Sequence, residues 1–359
     1  MNRHILSLVS LSFAALGAAA PGFAAEVAAT DPLVRYVGRF DRTDAAGPRC
    51  TWSASSVAFT ISGGSASVKL KDGGKNHWQV VINGQPAAVL ALEAGEKSYP
   101  VATNLPAGSH TIELVKRTEA SLGVTQIGGF EIDDDAKLLP TPARERRIEV
   151  IGDSISCGYG NEAPNKEAKF TPGTENAWLA YGAVAARAVN ADYVCIAWAG
   201  KKLWPNNSIR DLYDRVAPNA SKAVWDFSTW VPDAVVINLG TNDFAQENPD
   251  EAGWVAAYVE FLGEIRFRYP NAAIYCTLGP MISEWPGARK PRSTILGYFE
   301  KILAQANADL PAGAHPVRLV DFGTQAQHHG IGAQWHPSVK THSLMAEKLA
   351  GAFKRDLGW

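Results

Sequence analysis

Five apolar runs, at residues 148–151, 193–198, 234–239, 273–278 and 317–321, alternate with stretches of helical character near 176–190, 251–269, 293–308 and 339–356. Runs this short and apolar read as strands buried on both faces. Strands separated by helices cannot pair as hairpins, so the pattern predicts a parallel sheet with helices on both sides. Ligands of such sheets bind beyond the carboxyl ends of the strands, and the residues there are the first to search for chemistry.

The first of these runs, Ile148-Glu149-Val150-Ile151, leads into Gly152-Asp153-Ser154-Ile155-Ser156 and so delivers a serine to a tight turn. Gly200 follows the second run, Gly240-Thr241-Asn242-Asp243 follows the third, and His336-Pro337 stands before the last helical stretch. Taken singly, each is an ordinary turn glycine, capping loop or loop histidine. Together they supply what acyl transfer needs. A serine hydroxyl becomes a nucleophile when a neutral imidazole accepts its proton, and His336 is the best placed of the eight histidines to act as that base for Ser154.

Upstream, residues 34–133 show short alternating runs such as Val57-Ala58-Phe59-Thr60-Ile61, Trp78-Gln79-Val80-Val81-Ile82 and His110-Thr111-Ile112-Glu113-Leu114, with a turn signal at Asn83-Gly84. This predicts an all-β sandwich of jelly-roll type over residues 31–136. The two prolines and the charge cluster of residues 137–147 read as a linker, and residues 148–359 as the α/β domain.

The block Val150-Ile151-Gly152-Asp153-Ser154-Ile155-Ser156-Cys157-Gly158-Tyr159-Gly160-Asn161-Glu162, with Trp198-Ala199-Gly200-Lys201-Lys202-Leu203, Gly240-Thr241-Asn242-Asp243 and Trp335-His336-Pro337-Ser338-Val339-Lys340-Thr341-His342, resembles the SGNH branch of the GDSL esterases and lipases, and within it carbohydrate esterase family two. The resemblance implies a jelly roll joined to an SGNH hydrolase domain. It also implies an exported acetyl esterase acting on plant polysaccharide of the xylan or mannan type.

On that reading Ser154 and His336 are catalytic, and the oxyanion hole is formed by the backbone N–H groups of Ser154 and Gly200 with the side-chain amide of Asn242. Glycine lets the backbone approach the substrate, and asparagine is a neutral donor that need not change protonation. Family members carry an aspartate two or three residues before the histidine, where this chain has Ala333 and Gln334. The chain thus resembles the Ser–His dyad variant, in which a main-chain carbonyl orients the ring; the Gln334 side chain is a second candidate for that role, and Asp321 or Glu284 could substitute as distant carboxylates. Trp335, beside His336, and Trp204 are candidate substrate contacts, because flat aromatic faces suit sugar rings. Trp178 and Trp285 lie in segments expected to border the site.

The formal net charge of −2, with no clustering of Lys and Arg, argues against a nucleic-acid surface and a polybasic membrane patch. Arg3 and His4, the apolar stretch Ile5 to Ala20 and the small residues after it have the layout of a signal peptide over residues 1–25. Export would permit disulfides, but the spacing of Cys50, Cys157, Cys195 and Cys276 decides no pairing. No Cys/His spacing suggests a metal, and no cofactor is expected. Two other functions fit parts of the pattern: a lipase or acyl-thioesterase on the same fold, against which stands the lack of a long apolar lid, and a non-catalytic carbohydrate-binding protein, against which stand Ser154, Gly200, Asn242 and His336.

Overall fold

The computed structural model describes residues 23–218, 220–310 and 313–359. The expected leader lies outside the described residues as far as residue 22.

The N-terminal part is a sandwich of two antiparallel sheets. One has the order β1 (Phe23–Ala28), β10 (Thr125–Asp133), β5 (Gly64–Gly73), β8 (Ala94–Leu105), with β3 (Arg49–Cys50) also on β10. The other runs β11 (Leu138–Leu139), β4 (Ser56–Ile61), β9 (His110–Lys116), β6 (His77–Ile82), β7 (Gln85–Ala91), with β2 (Arg35–Val37) also on β4. The orders β1-β10-β5-β8 and β4-β9-β6-β7, with the chain crossing between sheets, make this a jelly roll. Alternate residues of each strand fill the space between the sheets, among them Phe59, Val68, Trp78, Ile112 and Phe130. The Asn83-Gly84 signal holds: φ is +52° and +78° at the two residues, as a two-residue hairpin turn between β6 and β7 requires.

The sandwich is wider than residues 31–136, because β1 precedes that span and β11 follows it. Nor is 137–147 a free linker. Leu138 and Leu139 pair with β4, the Thr141 hydroxyl donates to the carbonyl of Leu33, and Arg144 donates to that of Ala191 at 3.1 Å. A two-residue edge strand beside prolines carries no periodic signal, which is why the sequence pattern missed it.

The second part is a five-stranded parallel sheet in the order β13 (Ala191–Ala197), β12 (Arg146–Gly152), β14 (Ala234–Asn238), β15 (Ala273–Leu278), β16 (Arg318–Asp321). On one face, α3 (Glu251–Arg268) and α4 (Pro291–Ala306) cover Ile151, Ile196 and Ile237. On the other, α2 (Tyr181–Ala188) and α5 (Val339–Leu357) cover Val150, Cys195 and Val236. The chain runs from β12 outward to β13 and then crosses to β14, so the order reverses between β12 and β14. The crevice above their carboxyl ends is where such sheets bind ligands.

The two domains share cores. Val37, Trp52 and Ala120 of the sandwich join the α3/α4 core, and Ala54 and Val115 join the α2/α5 core. Strand β2 packs against the edge strand β13, where Arg35 pairs with Asp192. Deeper in, Arg39 forms a fully buried ion pair at 3.2 Å with Glu149 of β12, and Glu149 also accepts the Tyr213 hydroxyl at 2.6 Å. Arg39 also donates to the main-chain oxygens of Tyr213 and Arg215, so hydrogen bonds support both buried charges. All four cysteines are buried and free.

Candidate active site

Strand β12 ends at Gly152, and a Cβ there would fall 2.1 Å from the Ser156 hydroxyl. Glycine alone lets the chain turn this sharply into the short helix α1 (Ser154–Cys157). Asp153 caps it, its carboxylate accepting the N–H of Ile155 at 3.0 Å. Ser154 is then the first residue of the helix, where an N–H has no intrahelical acceptor. Among the described residues neither that N–H nor the N–H of Gly200 donates to another backbone group.

His336 is carried by the long loop between β16 and α5. Its Nε2 lies 2.9 Å from Ser154 Oγ and its Nδ1 lies 3.0 Å from the main-chain oxygen of Ala333. A carbonyl oxygen can only accept, so the proton sits on Nδ1 and Nε2 is free to accept from the serine hydroxyl. The loop carrying His336 is tied down: Ala333 N–H donates to Gly160 O at 3.0 Å and Gly332 N–H to His336 O at 2.8 Å. Its tip is strained, with Gln334 and Trp335 at φ +50° and +68° without being glycine.

The orienting group is therefore the carbonyl of Ala333 and not the side chain of Gln334. Gln334 Oε1 instead accepts the hydroxyl of Tyr159 at 2.7 Å. The Tyr159 ring lies 4.4 Å from the imidazole and stacks on Phe170 at 4.1 Å, walling one side of His336. The distant carboxylates are engaged elsewhere, Asp321 with Arg292 at 2.5 Å and Glu284 with Ser293 at 2.6 Å. Tyr159 carried no sequence signal beyond lying in the block around Ser154.

Three bonds draw the loops after β12, β13 and β14 together. Asn242 Nδ2 donates to Lys201 O at 2.9 Å and to Asp153 Oδ2 at 3.3 Å, and Trp198 N–H donates to Gly152 O at 3.4 Å. Lys201 N–H closes a turn on Trp198 O at 3.2 Å, with Gly200 third in the turn at φ +79°. That φ, together with open space where a Cβ would stand, makes Gly200 an exposed corner. The site thus has a hydroxyl aligned with a base, two N–H groups without backbone acceptors, and beside them an amide whose protons go to Lys201 O and, over a long 3.3 Å, to Asp153.

Burial lowers the pKa of His336, against the opposing pull of the carbonyls of Ala333 and Gln334. Behind it His342 is pushed down to about 3 by burial and by His336; its Nδ1 accepts the N–H of Tyr181 at 3.1 Å. Burial pushes Asp153 up to about 7, with Asp243 adding to the effect. Asp243 accepts the N–H groups of Leu203 and Trp204 and the Trp254 indole N–H, which anchors the loop after Gly200.

The tryptophans divide. Trp335 stands at the rim, 51% exposed, with Lys166 Nζ 4.0 Å above its ring. Trp204 is half-buried and lines the cleft that Gly200 and Asn242 also line. Trp285 is 82% exposed. Trp178 is not at this cleft: it lines an interdomain pocket with Ala54 and Val115, its ring covered by Arg187.

Among the described residues, Glu119, Cys157 and Glu175 bring ligating atoms within 4.8 Å of one another. Burial raises both the Cys157 thiol and the Glu175 carboxyl well above their ordinary values. Metal ligands must lose their protons, so this set suits a hydrogen-bonded network better than a cation.

Two family profiles cover most of the chain: carbohydrate esterase 2 N-terminal over residues 36–142 and the GDSL-like lipase/acylhydrolase family over residues 150–344. The cellulase/esterase CelE of Acetivibrio thermocellus is 41% identical over 336 residues, 92% of this chain; the chain spans 40% of the length of that relative. An acetylxylan esterase/glucomannan deacetylase of Cellvibrio japonicus is 29% identical over 83% of each chain. A family two carbohydrate esterase from Clostridium thermocellum, solved in complex with cellohexaose, superposes with a TM-score of 0.84 at 40% identity, covering 91% of this chain and 99% of that one.

Proposed function

The chain belongs to carbohydrate esterase family two, and from that premise we propose that it removes O-acetyl groups from xylan- or mannan-type polysaccharide through a Ser154–His336 dyad. The observation that carries the mechanism is the 2.9 Å contact from Ser154 Oγ to an imidazole nitrogen whose partner nitrogen is held protonated.

Ser154 Oγ attacks the acetyl carbonyl carbon as His336 Nε2 takes its proton. The carbonyl π electrons move to oxygen, and the N–H groups of Ser154 and Gly200 receive the negative charge, joined by the Asn242 amide as it gives up its long 3.3 Å bond to Asp153. The tetrahedral centre then collapses, its bond to the sugar oxygen breaks, and His336 returns the proton to that oxygen. Water, deprotonated by His336, repeats the attack on the acetyl-enzyme and releases acetate. The Ala333 carbonyl orients the ring through each half and stabilises its charged form by one hydrogen bond in place of a carboxylate.

The names of the relatives support acetylated xylan or glucomannan as substrate, and the cellohexaose complex of one of them supports a cleft suited to a polysaccharide chain. The half-exposed Trp335 and the cleft-lining Trp204 are proposed sugar contacts. Export is part of the proposal and rests on the sequence of residues 1–25. No helix of the described residues is long and apolar enough to cross a membrane. The test is acetate release from acetylated xylan and acetylated glucomannan by the wild type and Ser154→Ala. Equal release by the two proteins, or faster turnover of long-acyl esters than of acetyl esters, would overturn the reading.

A further inference from the structure

We propose that Glu119, a residue of the β-domain, is a positioning residue for the acyl-transfer site: its carboxylate holds the N–H of Ala199 and so fixes the turn that presents the N–H of Gly200 to the oxyanion. This rests on the esterase reading of Ser154 and His336.

The bond from Ala199 N–H to Glu119 Oε2 is 2.7 Å, the length of a charge-assisted hydrogen bond, and it joins residues 80 apart in sequence across the domain boundary. Ala199 is second and Gly200 third in the turn closed from Lys201 to Trp198. Glycine at the third position accepts φ of either sign at little cost, so the turn's own sequence does not determine which way the peptide between Ala199 and Gly200 faces. Its neighbours do. Glu119 holds the N–H of Ala199, Asn207 Nδ2 holds the carbonyl of Gly200 at 3.0 Å, and Asn242 Nδ2 holds the carbonyl of Lys201 at 2.9 Å. The N–H of Gly200, left without a backbone acceptor among the described residues, is what these bonds aim.

Glu119 is itself held on every side. Its other oxygen accepts the Ser121 hydroxyl at 2.5 Å, its N–H donates to Glu175 Oε2 at 2.9 Å, and its carbonyl accepts Lys116 Nζ at 3.2 Å. Cys157, at the end of the helix that begins with Ser154, directs its thiol at Oε2 from 3.8 Å. The residue is 4% exposed, its two oxygens accept from Ser121, Ala199 and the Cys157 thiol, and the neighbouring Glu175 carboxyl, within 4.8 Å, is raised well above its ordinary value by burial. The β-domain thereby contributes to the oxyanion site without touching substrate.

The test compares Glu119→Asp and Glu119→Gln with the wild type. The aspartate keeps the charge but draws the oxygen back by one methylene; glutamine keeps an acceptor within reach of Ala199. Near-UV circular dichroism and thermal melting establish folding, and kcat and KM on an acetyl ester are measured with the Ki of a boronic acid that forms a tetrahedral adduct at Ser154. Glu119→Asp is expected to lose roughly tenfold to a hundredfold in kcat, with Ki weakened by a similar factor and KM within about threefold, because misplacing one donor acts on the tetrahedral state. Glu119→Gln is expected to stay within about fivefold of the wild type in kcat. A folded Glu119→Asp with unchanged kcat and Ki would overturn the proposal. So would equal losses in the two variants carried mainly by KM, which would mark a general loosening of the domain contact. A wild type inactive on acetyl esters, or a Ser154→Ala as active as the wild type, would instead overturn the esterase reading itself.

Discussion

His336 is hydrogen-bonded through Nδ1–H to the main-chain oxygen of Ala333 at 3.0 Å, in the place where a Ser–His–Asp triad has a carboxylate. A carbonyl fixes the tautomer as well as an aspartate does, but it carries no full negative charge to favour the imidazolium. The loop pays for that arrangement with two left-handed residues, Gln334 and Trp335.

One consequence concerns pH. On the proposed mechanism His336 must be neutral to accept the serine proton, and burial lowers its pKa below the ordinary 6.5, so the neutral form persists to lower pH. The acid limb of kcat/KM on an acetyl ester, followed from about pH 4.5 to 8, should have its midpoint below about 6.5. Gln334→Asp should leave that limb within a few tenths of a pH unit, since position 334 faces Tyr159 and not Nδ1. A limb at or above the ordinary value, or a clear rise in Gln334→Asp, would show a carboxylate acting on the ring.

Asn242→Ala should lower kcat by about a hundredfold or more with a smaller change in KM, as expected of a donor used mainly in the transition state. The variant also frees the carbonyl of Lys201, so some of the loss will come from the Gly200 turn. Steady-state kinetics on a soluble acetyl ester suffices. A change confined to KM would make Asn242 a binding residue only.

Arg39→Met should destabilise the protein by about 3–5 kcal/mol in urea unfolding, because it leaves Glu149 charged and buried without its cation. Adding Glu149→Leu to Arg39→Met should recover part of the loss. A double variant less stable than Arg39→Met alone would mean that Glu149 is held by the Tyr213 hydroxyl and needs no cation.

His342 links stability to pH. Its folded pKa is about 3 against an ordinary value of 6.5. Below about pH 6.5 the unfolded chain takes up a proton that the folded chain refuses, so stability falls as pH drops toward 3, by at most about 1.4 kcal/mol per pH unit. Asp153 has the opposite sign: raised to about 7, it binds its proton more tightly when folded and costs stability as pH rises from 3.8 toward 7. His342→Asn keeps an acceptor for Tyr181 N–H but cannot titrate, and Asp153 is common to both proteins. The drop in Tm between about pH 7 and 5 should therefore be smaller in His342→Asn than in the wild type, and an equal drop would contradict the assignment.

The strands of the parallel sheet were legible because burial on both faces leaves an apolar run that ordinary statistics of composition expose, as at Val235 and Ile237. Ser154 and His336, which the structure brings within 2.9 Å of each other, were legible because the signal lies in side chains of distinctive chemistry at a strand end and before a helix. What stayed hidden is main-chain or long-range. The acceptor for His336 is a carbonyl, which any residue at position 333 would offer; the sequence therefore left a main-chain oxygen and the Gln334 side chain as alternatives, and only the structure assigns the bond to Ala333. Glu119 meets Ala199 only through the docking of two domains, and neither residue's neighbours announce the other. Gln334 and Trp335 adopt left-handed backbone without the glycine or asparagine that would mark it.

The place of β13 at the sheet's edge bears on how this polypeptide can be divided. The strand is seven residues long, buried throughout, with Asp192 its sole charge, and β2 with Arg35 lies over it. A hydrolase unit cut free near residue 145 would lose that cover and present an uncapped, charge-poor ribbon as a template for pairing with its own copies. Truncation there is expected to give a fragment that self-associates, so the jelly roll serves as the cover of this sheet edge and the two domains are best handled as one unit.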